Sequence, residues 1–285
     1  MHSIFLQFFC CIYLVSHGVI MLFNIKKWSL AGLILLSSSM ACAAPTTANF
    51  SSVTGSSSNI TNFSLSVDGV NINVSGWSDT RSRSNDGPGD GTIRIAKDVN
   101  KFGNGWGITN GDENNSDYPG HSADNVGNDY DFFLISFSEV VSLSKATYSW
   151  VYGNTGQNQV SVAALDSNDF TGNGSLHNKT WSGIKANNTL SSDYAQMQSS
   201  GGYFTNFTGT NVDNEFSTHW LIGSLNSVFG GTMGMEGNDG MKLAGVSFNK
   251  QGTPPDSTSI PEPSSMLLFC LAIIGLATSG RRKLQ

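Results

Sequence analysis

The stretch "HSADN" puts an imidazole, a carboxylate and an amide at His121, Asp124 and Asn125, and Asn128, Asp129 and Asp131 follow closely. Hard oxygen donors gathered at a loop-to-strand junction are what Ca²⁺ takes, six to eight at a time and often from loops. Asp124, Asn125, Asp129 and Asp131 are therefore the candidate metal ligands. Their spacing matches neither an EF-hand nor the nonapeptide repeat of RTX proteins. The first reading is structural, with Asp124 and Asn125 capping turns through side-chain to backbone bonds and His121 a turn residue. Calcium is the second reading, and no other cofactor is expected.

Tryptophans are the other chemical resource. Trp150 and Trp220 fall inside strand-like runs and read as core. Trp106 in "GNGWGI" and Trp181 in "NKTWSGI" lie near loops, which makes them the candidates for stacking on sugar rings, although packing is the first reading for these too. Catalytic patterns are weak. No G-x-S-x-G elbow occurs, "SNDGPGDG" lacks the lysine of a phosphate loop, and nothing in the sequence pairs Glu113, Glu139, Glu215 or Glu236 for glycoside hydrolysis. The expectation is a non-enzyme.

The elements that must hold these residues are strands. "FSLSVDGVNINVSGWSDT" alternates around an Asp-Gly turn, a hairpin signal. "DYDFFLISFSEVVSLSKATYSWVY" reads as two strands, one carrying Phe133, Ile135 and Phe137 and the next beginning with Val141, Leu143 and Ala146. "NQVSVAALD", "STHWLIGSLN" and "GMKLAGVSFN" add three more, and "SSDYAQMQSSGGYF" reads as a helical turn. Short strands punctuated by turns predict an all-β, antiparallel, jelly-roll-like β-sandwich ectodomain over 44–249.

Composition agrees. The chain has 285 residues, 32 of them glycine, with 13% charged and 11% aromatic. Cys10, Cys11, Cys42 and Cys270 all lie in apolar end segments, so the body has no disulfide framework and no thiolate zinc site. Setting aside Lys26, Lys27, Arg281, Arg282 and Lys283 from 15 basic residues, and Glu262 from 21 acidic ones, leaves a body of about −10. That charge argues against nucleic acid as a partner.

The ends carry addresses. Lys26 and Lys27 precede a short apolar stretch, Trp28 to Leu36, and Ala41-Cys42-Ala43 is a small-x-small site. This predicts a signal peptide over 21–43, with signal peptidase cutting between Ala43 and Ala44 and residues 1–20 an over-extended start. A lipoprotein reading of Cys42 is weaker, because Ser39 and Met40 precede it. At the other end, 250–260 is a Pro/Ser/Thr linker. Pro261, Glu262 and Pro263 then block helix propagation ahead of an apolar segment, 264–280, about 17 residues or ~25 Å as a helix. Arg281, Arg282 and Lys283 hold that end in the cytoplasm.

The segment 261–285 resembles the PEP-CTERM sorting signal: a Pro-Glu-Pro triplet, one transmembrane helix and a terminal basic cluster. The resemblance implies recognition and removal by exosortase, a membrane-embedded transpeptidase-like protease. Pro261, Glu262 and Pro263 would be the recognition element and Arg281 to Lys283 the stop. The body blocks "HSADN", "DFFLISFSEVVSL", "VSVAALD", "HWLIG" and "DGMKLAGVSF" also resemble one family of exosortase-dependent surface proteins. These resemblances imply a protein that passes the inner membrane transiently and ends at the cell surface or outside. There it would be structural or adhesive, in contact with exopolysaccharide. The alternatives are a secreted carbohydrate-binding module or glycoside hydrolase, and a plain tail-anchored envelope protein.

Overall fold

A computed structural model of the chain describes residues 44–54, 60–79, 91–110, 121–127, 129–153, 157–232 and 237–252. Thirteen strands run in order β1 (Thr46–Asn49), β2 (Asn62–Val67), β3 (Val70–Asp79), β4 (Ile93–Ile95), β5 (Asp98–Phe102), β6 (Gly105–Thr109), β7 (Ala123–Asp124), β8 (Asp131–Val151) and β9 (Gln159–Leu165). After one helix, α1 (Trp181–Asn188), come β10 (Thr189–Gln196), β11 (Tyr203–Asn206), β12 (Ser217–Ser224) and β13 (Gly240–Lys250). All of the pairings are antiparallel and belong to one hydrogen-bonded sheet, whose central path is β10-β9-β12-β8-β13-β6-β5.

The expected hairpin is β2–β3, in register from Asn62↔Ser75 to Val67↔Val70. Asp68 and Gly69 turn it with φ of 49° and 80°, the two positive values that match a two-residue turn to strand twist. The two strands expected between Asp129 and Tyr152 are instead a single strand of 21 residues, β8. No Gly, Pro, Asn or Asp lies between Ser138 and Ser144, so nothing there reverses the chain. Ser138 and Glu139 turn outward, and beyond them the strand changes partners. Its first half pairs with β3 and β12, its second half with β11 and β13.

That change of partners decides what each half buries. In the first half Phe133 and Ile135 join Val74, Val162 and Trp220 in the main core, while Phe132 and Leu134 point the opposite way into a second one. The second core is capped by Phe170, Leu176, Trp181, Ile184 and Phe229. Both faces are covered, so strict alternation disappears and Asp131 to Ile135 are all buried. In the second half Ala146 and Tyr148, with Leu243, Val246 and Phe248 of β13, join the main core. Lys145, Thr147 and Ser149 alternate with them and remain partly exposed.

Two local expectations are corrected. "SSDYAQMQSSGGYF" is not helical: it forms β10 and the start of β11, closed by a bridge between Gln198 and Phe204. The helix lies just upstream, where Thr180 caps α1 by accepting a hydrogen bond from the Gly183 amide at 3.0 Å. Trp181, Ile184 and Asn188 form its buried face, the spacing that one side of a helix demands.

Candidate functional site

The loop carrying His121 to Asn125 is clamped between β6, β8 and β13. His121 has a left-handed backbone, φ 65°. Its Nδ1 lies 3.0 Å from Thr109 Oγ1, and its ring stacks on Phe102 with centroids 4.9 Å apart. Asp124 closes a local turn: its Oδ1 accepts from the Val126 amide at 3.0 Å and its Oδ2 from the Ser122 hydroxyl at 3.0 Å. Burial pushes the Asp124 carboxyl up to about 6, and those two hydrogen bonds only partly oppose the rise. The Asp124 amide in turn donates to Asp131 Oδ2 at 3.3 Å.

Asn125 reaches much further. Its Nδ2 donates to Asp239 Oδ2 at 2.7 Å and to the Leu225 carbonyl at 2.8 Å, while its Oδ1 accepts from the Asp239 amide at 2.9 Å. Asp239 Oδ1 also accepts from the Gln159 amide at 2.7 Å. One buried carboxylate therefore ties the loop, β9 and the entry to β13 together. Asp129 is occupied elsewhere, accepting from Ser78 Oγ at 2.6 Å and from the Asn110 amide group.

These contacts favour the structural reading of Asp124 and Asn125. The oxygens of Asp124, Asn125 and Asp129 each face protein donors in separate places, so these three do not converge on a common point, while Asp131 lies against the Asp124 amide. Among the described residues no group of three or more His, Cys, Asp or Glu side chains is arranged to hold a metal. Asp124 caps a turn, whereas Asn125 caps nothing local and instead crosses the fold to Asp239. Asp239 was the residue that sequence reading missed. Its only signal was the "NDG" step before a strand, which reads as a turn.

Of Trp106, Trp150, Trp181 and Trp220, three pack inside and one does not. Trp106 is wholly buried, stacked on Phe63 at 4.0 Å and donating from Nε1 to the Phe50 carbonyl at 3.0 Å. Trp181 is wholly buried against Phe132, 4.6 Å away. Neither presents a ring to a ligand, because the short elements that carry them fold inward as lids on the two cores. Trp220 is core as expected, but Trp150 is partly exposed, with Lys242 Nζ 5.0 Å from its ring.

A shallow groove of about 460 Å³ lies where Ser64 of β2, Asn71 and Asn73 of β3 and Ser136 and Ser138 of β8 come side by side. Of the glutamates, Glu139 lies 3.8 Å from Lys250 in an ion pair, Glu215 stands just before β12, and Glu113 and Glu236 lie outside the described residues. Also outside them are Ala41 and Ala43 at the expected cleavage site, and the tail residues Pro261, Glu262, Pro263, Arg281, Arg282 and Lys283. Ala44 is the first described residue and is exposed. No described helix is long and apolar enough to cross a membrane, and the expected span 264–280 falls beyond the described residues.

Comparison with known proteins fills in the tail. Residues 259–283 match the PEP-CTERM protein-sorting motif. No curated protein and no solved structure matches the chain. The chain thus carries a C-terminal signal for export, membrane-associated sorting and processing by exosortase.

Proposed function

We propose that the chain is a non-catalytic surface or extracellular-matrix protein whose β domain works outside the cell as a structural or adhesive unit held by exopolysaccharide. The observation that carries this reading is the PEP-CTERM motif at residues 259–283, which commits the domain to export. In this reading a signal peptide over 21–43 starts translocation and is removed by signal peptidase. The helix over 264–280 then holds the chain transiently in the inner membrane until exosortase releases it. The sheet, folded over β8 around one main core, is read as a jelly-roll-like sandwich. Two features support such a role. The described domain is cysteine-free and relies on apolar burial, so it needs no redox chemistry to fold after export. Its carboxylate-rich junction is occupied by internal hydrogen bonds, which favours a structural role for those acids over catalysis.

The groove beside Asn73 and Ser136 favours one second reading, a secreted carbohydrate-binding module. The hydrolase variant of that reading needs two facing carboxylates about 5–10 Å apart in an accessible cleft.

The test is recovery of the protein from the cell exterior, with its intact mass and its elution relative to secreted polysaccharide. The expected species runs from Ala44 to the Pro-Glu-Pro region, co-elutes with polysaccharide, and disappears when exosortase is deleted. A mass that retains the Cys270 segment would overturn the sorting reading, and elution as free protein would overturn the polysaccharide association.

A further inference from the structure

The second half of β8 and its neighbour β13 bury only one side. Tyr148, Leu243 and Val246 face the main core, which places Lys145, Thr147, Lys242 and Ser247 on the opposite face. A register shift at Ser149 pairs Trp150 with Lys242 and brings its ring to that face too. Lys242 Nζ sits 4.5 Å from the Phe102 ring and 5.0 Å from that of Trp150. Lys145 Nζ sits 4.3 Å from the ring of Phe204, which β11 places opposite Thr147. Between these two cation–aromatic units stand the small residues Gly245 and Ser247, against which β1 packs closely. A Cβ on Gly245 would come within 2.4 Å of the Ala48 carbonyl oxygen, and Ser247 Oγ is 3.0 Å from the hydroxyl of the exposed Thr47. The stretch from Lys145 to Trp150 covers about 15 Å of strand, room for several sugar rings laid end to end.

We propose that this face binds a carboxylate-bearing polysaccharide, with Lys145 and Lys242 pairing to its carboxylates and Trp150 and Phe204 stacking on the C–H faces of its rings. The proposal rests on the polysaccharide association above and names its surface. Charge complementarity carries it. In a body of about −10, these two amines lie on one face and enter no ion pair among the described residues, where the only such pair is Lys250 with Glu139. Each amine has an aromatic ring beside it, an arrangement that holds a lysine in place without neutralising it. Partial burial also pulls Lys242 below its ordinary pKa, a cost that an arriving carboxylate offsets. The net acidity of the body opposes a polyanion, an opposition that salt screens. At physiological salt the screening length is about 8 Å, so contacts at this face decide the outcome. A nucleic acid backbone, with a charge roughly every 1.7 Å, would meet the surrounding acids and is disfavoured.

The test uses the full mature protein with polygalacturonate, and with the same polymer fully methyl-esterified. Binding is read by affinity electrophoresis and by the fluorescence of the partly exposed Trp150. Wild type is expected to bind the acid form and not the ester. Lys145→Gln with Lys242→Gln together weaken binding by on the order of tenfold or more, the double Arg variant keeps it, and Trp150→Ala weakens it without moving the unfolding midpoint. Equal binding by the double Gln variant, or equal binding of the ester, overturns the proposal. Dependence on the lysines but not on Trp150 or Phe204 also overturns it, by reducing the face to a simple charge patch. If wild type and double Gln variant both co-elute with the cell's own polysaccharide, the surface is wrong while the association stands. If wild type elutes free, the association fails, and polygalacturonate binding alone decides the surface.

Discussion

β13 takes part in two chemically rich regions that behave in opposite ways. At its start, Asp124, Asn125 and Asp239 are packed into a junction where their side chains are hydrogen-bonded inside the protein. On its outer face, Lys242 lies over the Phe102 and Trp150 rings and joins no ion pair among the described residues. The first region has more of the residue types associated with catalysis and metals, yet less left over to offer a ligand. A polar side chain has binding capacity only to the extent that its own fold has not consumed it.

The comparison is sharpened most by removing what sits inside. Trp106→Ala empties a stacked, wholly buried site and leaves the Phe50 carbonyl without its donor, so it costs about 4 kcal/mol of stability in urea unfolding. A loss below about 1 kcal/mol would restore Trp106 as a surface residue. Asp239→Ala comes next. It strands the Gln159 amide and one bond of the Asn125 amide group in a buried setting, each worth about 1–3 kcal/mol, and about 3 kcal/mol is expected together. A near-neutral result would mean that the junction is not the structural knot its geometry describes.

The pH dependence of the junction is smaller and has a definite sign. Burial raises the folded-state pKa of Asp124 from 3.8 to about 6, so the folded chain holds this proton more tightly than the unfolded chain does. Stability from this group is therefore greatest below about pH 4 and falls as pH rises through about 6, by on the order of 2 kcal/mol. This is opposite in sign to a salt-bridged carboxylate. Asp124→Asn keeps an acceptor for the Val126 amide and cannot ionise, and the Ser122 hydroxyl can turn to accept. Urea midpoints of wild type and variant are expected to diverge between about pH 4 and 6, with wild type falling relative to the variant, and to run parallel above that. Curves parallel over the whole range would show that Asp124 titrates as an ordinary surface carboxylate.

Much of the fold was legible in the sequence because period-two alternation and turn chemistry are local. Asp68-Gly69 announces its hairpin, and β9, β12 and β13 lie close to where the apolar pattern puts them. The unbroken β8 was not legible, because whether a chain bends or reverses at Ser138 depends on partners far away in sequence. The site was less legible still. Asn125 and Asp239 are 114 positions apart, and no local pattern announces their pairing. Trp150 looks like core because it keeps step with Ala146 and Tyr148. The register shift at Ser149, where Lys242 pairs with Trp150 and Leu243 with Tyr148, turns it to the other face, and no local pattern announces that bulge. In α1, the Thr180 cap and the Trp181–Ile184 spacing were readable signals, obscured by Gly183 and by the asparagines that follow.

The smallest expected effect tests the comparison from outside. Lys242→Gln should shift stability by no more than about 1 kcal/mol, since an exposed cation–aromatic contact is worth about 0.5–1 kcal/mol and Lys242 closes no described ion pair. Adding Ca²⁺ or a chelator should leave the unfolding midpoint in place, because a metal bound only by the folded state would raise it as its concentration grows. A midpoint that climbs with Ca²⁺ in wild type but not in Asp124→Asn would return the junction to the class of ligand sites. The outer face would then be the second binding region of the molecule, and internal hydrogen bonding would no longer separate the two.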